Sequence, residues 1–154
     1  MIARRTPAAG CSFPFMSVRK NQRSESRFST LDIILDLYNH TTTLTANEKI
    51  FDRTYTSLID RINDEAAMIY HLCRVANEDL DNRIEEEAQE RLRLQAEAVG
   101  VCLRLKTDIR LAQRRFKLRA KKVVFWNDLV NKALASIKAW NAAEKRTYKN
   151  VFGL

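Results

Sequence analysis

Glycine and proline are nearly missing from this chain: three glycines and two prolines in 154 residues, with both prolines before residue 15. So few turn formers, in a sequence 45% apolar and 30% charged, are the signature of an all-helical protein. Glycine stands only at 10, 100 and 153, so no phosphate-cradling GxxxxGK loop exists and nucleotide hydrolysis is not expected. Cysteine is scarce and odd in number. Cys11, Cys73 and Cys102 have unrelated spacings, no CxxC pair and no histidine pattern, which speaks against a disulfide framework or a zinc site and reads as cytosolic. The two histidines, His40 and His71, have Leu37 and Met68 three residues before them, where a di-iron bundle needs glutamate. Long apolar runs are lacking as well. No stretch approaches the ~20 apolar residues of a membrane span, and the apolar residues of Met1 to Met16 are broken by Pro7, Gly10 and Pro14, unlike a signal peptide. No constellation of nucleophile, acid and base emerges, so the expectation is a protein that is not an enzyme, with no metal and no cofactor.

What is abundant is charge, unevenly placed. The net charge is +8. Residues 1–30 carry six cations and one anion, residues 31–100 seven cations and fifteen anions, and residues 101–154 fourteen cations and three anions. The last third is therefore where an anion-binding surface is expected.

The length suits one domain. Residues 1–28 are basic, rich in Ser and Arg and without apolar periodicity, which predicts a disordered arm. Met16, followed by a small serine, is the expected translation start. Residues 29–154 are expected to form an all-α domain, an antiparallel up-down four-helix bundle. Ser29 or Thr30 can cap the first helix, whose seam is Leu31, Ile34, Leu35 and Tyr38 and which is expected to fray near Leu44. Leu58, Ile62, Ala66, Ile69, Cys73, Ala76 and Leu80 recur at steps of three and four, the most regular seam in the chain, and Cys73 within it is a core residue rather than a nucleophile. Asn77 to Asn82 reads as a turn. Glu85, Glu86 and Glu87 then complement the positive end of a third helix. Leu94, Ala98, Val101, Leu105, Ile109, Ala112 and Phe116 keep one phase through Gly100, so this helix is expected to cross the glycine, and a break is expected near Leu118 to Lys122. In the fourth helix Trp126, Val130, Ala133, Ile137 and Trp140 form the seam, with both tryptophans as core anchors. Lys145, Arg146, Tyr148 and Lys149 close it, suited to the helix dipole and to phosphate.

Between Val101 and Lys122 the apolar seam shares its helix with a cationic stripe. Lys106, Arg110, Arg114, Lys117 and Lys121 recur at steps of four, four, three and four, with Arg104, Arg115 and Lys122 on the other flank and Asp108 as the only compensating anion. Like charges at i, i+4 repel by a few tenths of a kcal/mol each, so folding gives no reason to keep them. A stripe of one sign fits a polyanion, nucleic acid ahead of anionic membrane. These eight residues are the candidate nucleic-acid contacts. Leu103, Leu111 and Leu118 fall off the seam as a thin apolar line and are the candidate oligomer interface.

Several local sequences carry a family likeness: SVRKNQRSESRF from Ser17, NEKIFDRTYT from Asn47, YHLCRVANEDL from Tyr70, WNDLVNKALASIKAW from Trp126 and KRTYK from Lys145. In order and spacing, from about Met16 to Lys149, the chain resembles the four-helix-bundle accessory variability determinants of diversity-generating retroelements. The resemblance implies a barrel-like homopentamer with a basic surface. It also implies binding of the element's reverse transcriptase and template RNA in support of mutagenic cDNA synthesis. Related four-helix bundles encoded in ribosomal RNA intervening sequences are the nearest alternative. The competing class is a helical scaffold or tether whose basic face meets an acidic protein or a membrane surface.

Overall fold

The computed structural model describes residues 29–154, and all regular structure among them is helical. The basic arm and the start expected at Met16 lie outside the described residues. Four helices follow one another: α1 through residues 29–45, α2 at Thr56–Arg74, α3 at Glu85–Arg115 and α4 at Ala120–Phe152. A 3-10 turn, Arg53–Tyr55, leads into α2, and a π-helical turn, Val75–Asp79, prolongs it.

In α1 the buried line is Leu31, Ile34, Leu37 and Thr41, with Leu35 only partly covered, so the seam sits slightly off the expected one. Ser29 and Thr30 do not cap it: both are already helical, and the Thr30 hydroxyl lies 2.7 Å from that of Ser136 on α4. The helix ends at residue 45, beside the end expected near Leu44, and the threonines before it stay helical. Thr42 and Thr45 donate their hydroxyls to the carbonyls of Tyr38 and Thr41, four residues back, and Thr41 accepts the indole N–H of Trp126 at 3.0 Å. Tertiary partners thus override a weak helix propensity.

Along α2, Ile62, Ala66, Ile69, Cys73 and Ala76 are all buried. The turn expected at Asn77 starts later, because the chain stays helical to Asp79. Widening to a π-turn frees carbonyls that need a donor. Arg91 on α3 supplies it, donating through Nη1 to the carbonyls of Ala76 and Leu80.

Helix α3 crosses Gly100 unbroken, as the continuous seam predicts, and its first turn holds Glu85, Glu86 and Glu87. Glu87 also accepts the backbone N–H of Asp81, fixing the entry of the chain. At its other end α3 stops at Arg115, a few residues before the break expected from the sequence. The Phe116 N–H reaches Ala112 and the Leu118 N–H reaches Gln113, while Lys117 adopts φ 50°. This is a left-handed C-terminal cap, normally built on glycine, which is why no glycine or proline announces the break. The seam of α4 is buried as its spacing predicts, with Trp126 and Trp140 in the core.

Paired contacts define the neighbours. Helix α1 meets α4 at Thr30 with Ser136 and at Thr41 with Trp126, and meets α2 where Thr45 donates to Asn63. Arg61 of α2 meets Asp108 of α3. Arg91 and Gln95 of α3 meet Tyr148 and Glu144 of α4. One apolar cluster runs through all four helices, and each fully buried Leu, Ile or Val side chain in it stabilises the fold by about 1.5–3 kcal/mol.

Candidate nucleic-acid interface

The connections α1–α2 and α3–α4 lie at the same end of the molecule. Phe51 and Tyr55 from the first pack on Phe116 from the second, with ring centroids 4.8 and 5.9 Å apart. Around this aromatic joint sit Arg114 and Arg115 in the last turn of α3, Lys117 in the connection, Arg119 at the N-cap of α4, and Lys121 and Lys122 in its first turn. All six are exposed. The stripe predicted on one helix is therefore divided between two helices and a cap, because α3 ends at Arg115. Arg104 and Lys106 lie about 14–17 Å back along α3 at 1.5 Å per residue, and Arg110 lies between them and the tip.

Six arginines elsewhere are charge-paired, while among the described residues Arg146 and the lysines outside this end are unpaired like the candidate cations. Arg53, Arg61, Arg74, Arg83, Arg91 and Arg93 each hold a carboxylate. None of the eight candidate cations has an ion pair among the described residues. Asp108, which the sequence offers as their counter-charge, is buried and accepts two hydrogen bonds from Arg61, at 2.5 and 2.9 Å. Arg115 is the one with a close partner of another kind: its guanidinium lies 4.4 Å from the Tyr55 ring centroid and donates to the Tyr55 hydroxyl.

The helix dipole distinguishes ordinary from unexplained cations. Arg114 and Arg115 stand at the negative end of α3, where a cation is worth about 0.3–1 kcal/mol, so folding accounts for them. Lys121 and Lys122 stand at the positive end of α4, where the same effect opposes them, and the first turn of α4 holds no acidic residue. Lys117 bears a side chain at a left-handed position, a conformation that costs a non-glycine residue about 1–2 kcal/mol. Three cations are thus kept at this end against local stability.

Two clefts open here. One, of about 400 Å³, is lined by Lys49, Ile50, Phe116, Lys117, Leu118, Arg119 and Lys122. The other, of about 310 Å³, lies between α1 and α4 and is lined by His40, Leu44, Arg119, Lys121, Lys122 and Phe125. Burial, then the charge of Lys122, hold His40 below the usual histidine range. Sequence reasoning missed Arg119, Lys49, His40 and Phe125 as members of this end. Arg119 continues the flank of Arg115 and Lys122 at steps of four and three and was passed over, while Lys49 is placed here by the packing of the two connections and His40 with Phe125 by the pairing of α1 with α4, which periodicity within one helix does not report.

The apolar line divides. Leu103 and Leu111 are 49% and 48% exposed on α3. Leu118 is 7% exposed and belongs to the core, since the cap at Lys117 turns it inward, so it is removed from the line. Tyr148 is also unavailable to phosphate: it is buried, its hydroxyl donates to Glu144 at 2.5 Å and accepts from Arg91 at 3.0 Å, and burial, then Glu144, push it up to about 12. Lys145, Arg146 and Lys149 stay exposed. Cys73 and Cys102 are free and buried, with burial pushing both thiols up to about 12. Among the described residues no group of His, Cys, Asp and Glu could hold a metal ion, and no helix is long and apolar enough to cross a membrane.

Comparison of the chain with protein-family models, with curated proteins and with solved structures returns no match.

Proposed function

We propose that this protein is a non-catalytic nucleic-acid-binding accessory factor, built as an antiparallel up-down four-helix bundle. Its cationic end, from Arg110 through Arg114, Lys117, Lys121 and Lys122, would be the phosphate-binding surface. The observation that carries the reading is the presence of Lys117 where backbone conformation disfavours a side chain, and of Lys121 and Lys122 where the helix dipole disfavours a cation. A single-sign cluster without ion pairs is complementary to a polyanion. The bundle topology is supported by contacts that pair rising with falling residue numbers, Thr30 with Ser136 and Thr41 with Trp126.

The resemblance in sequence sets the biological role within this proposal: a partner of the reverse transcriptase of a diversity-generating retroelement, acting with its template RNA and assembled as a homopentamer. Leu103 and Leu111, exposed among cations in the second half of α3, are the proposed contacts between subunits or with the polymerase. Light scattering is expected to return an oligomer, and a stable monomer would remove the assembly from the proposal. A reverse transcriptase gene beside this one is the expected genomic setting.

The binding claim is tested by the triple variant Arg110→Ala, Arg114→Ala, Lys117→Ala, whose side chains lie off the core. Helical content is expected to be unchanged. Affinity for RNA should fall, and the dependence of log affinity on log salt should flatten by about 0.7–0.9 per lost phosphate contact. Wild-type affinity and slope in the variant would reject the cationic end as the binding surface.

A further inference from the structure

The cleft between α1 and α4 combines features that a phosphate-binding surface alone does not require. Phe125 is 55% exposed at its mouth, immediately before the fully buried Trp126. The Phe125 ring meets His40 edge to face with centroids 4.9 Å apart, so its orientation is set within the fold. His40 Nε2 is buried and has no hydrogen-bond partner among the described residues. Three cations, Arg119, Lys121 and Lys122, complete the lining. At about 310 Å³ the cleft stands at the small end of the ~300–1,000 Å³ range of ligand sites.

We infer that this cleft receives an unpaired base of a single-stranded RNA, stacked on Phe125, with the flanking phosphates on Arg119, Lys121 and Lys122. The inference rests on the reading of this end as a nucleic-acid surface and adds the form of nucleic acid that it prefers. Stacking on an exposed aromatic ring requires a base whose face is free. In a duplex both faces are already covered, so only a single strand, loop or end can supply it. The His40 imidazole, its Nε2 buried, packs against the ring and fixes it in place, so the base is held by stacking and not by an edge hydrogen bond from this residue. The cations supply affinity without sequence preference. The stack supplies the preference for unpaired bases.

The test compares Phe125→Ala with the wild type for an unstructured RNA of about 16 nucleotides, for a duplex RNA of the same length, and for phosphatidylserine vesicles. Stacking by one base predicts a loss of about tenfold or more for the single strand, with duplex affinity and the salt slope unchanged. Phe125→Leu, which keeps apolar volume at this exposed position, should show the same loss, and Phe125→Tyr should retain wild-type affinity. If Phe125→Ala and Phe125→Leu bind the single strand as tightly as the wild type while the Arg110, Arg114 and Lys117 triple variant is weakened, the base-binding cleft is wrong and the nucleic-acid surface stands. A loss confined to vesicles would identify a lipid as the occupant and overturn the inference. Wild-type protein that binds neither RNA would overturn both.

Discussion

Arg91 shows how single residues carry this fold in ways that apolar spacing does not announce. It is 1% exposed, yet all three guanidinium nitrogens donate: to Glu144 at 2.5 and 2.9 Å, to Tyr148 at 3.0 Å, and to the carbonyls of Ala76 and Leu80. Gln95 donates to the other oxygen of Glu144, and Asn141 donates to Gln95 at 3.0 Å. Removing one member of a buried ionic network leaves the others uncompensated, so Arg91→Met should cost about 3–5 kcal/mol, read as a shift of the urea midpoint. Glu65 is another buried ionisable residue. Burial first, then neighbouring Asp108, push its carboxyl up to about 7 from an ordinary value of 4.5, with Arg61 and Arg104 opposing the shift. The folded state therefore holds a proton that the unfolded chain has released. This contribution to stability is greatest at low pH and falls as pH rises from about 4.5 to about 7. Glu65→Gln should remove that slope, so the variant's stability relative to wild type should be higher at about pH 8 than at about pH 5. An unchanged difference would mean that Glu65 is ionised in the fold.

At the scale of the element, what the sequence made legible follows from periodicity. The seams through Ile62, Ala66, Ile69 and Cys73, through Gly100 to Ala112, and from Trp126 to Ile137 all lie in the core, because packing of an apolar face dominates helix stability. Ends were harder to place, and each displacement has a physical cause. The π-turn at Val75–Asp79 is held by Arg91, a residue far along the chain. The end of α3 is a cap whose left-handed residue is Lys117 instead of glycine. That substitution is itself informative, since glycine would hold the same conformation without the Cβ penalty. Lys117→Gly is expected to raise the unfolding free energy by about 1 kcal/mol while weakening RNA binding. A gain in stability with no loss of affinity would mean that Lys117 has no part in recognition.

For the whole molecule, the candidate site was half legible. The surplus of cations after residue 101 could be read directly, but their division between the last turn of α3, a cap and the first turn of α4 could not. The meeting of His40 with Phe125 was hidden because it depends on the packing of distant segments. Leu118 left the apolar line for a local reason, the left-handed cap at Lys117 that turns it into the core. The central claim, that this end binds the phosphate backbone, has an electrostatic signature independent of any variant. Each neutralised phosphate releases condensed counterions, at about 0.7 per contact for a single strand. The direct measurement is the affinity of the wild-type protein for a single-stranded RNA across a series of salt concentrations. Three or more phosphate contacts predict a straight line of log affinity against log salt with a slope of about −2 or steeper. A flat line, or no binding at low salt, would contradict the claim.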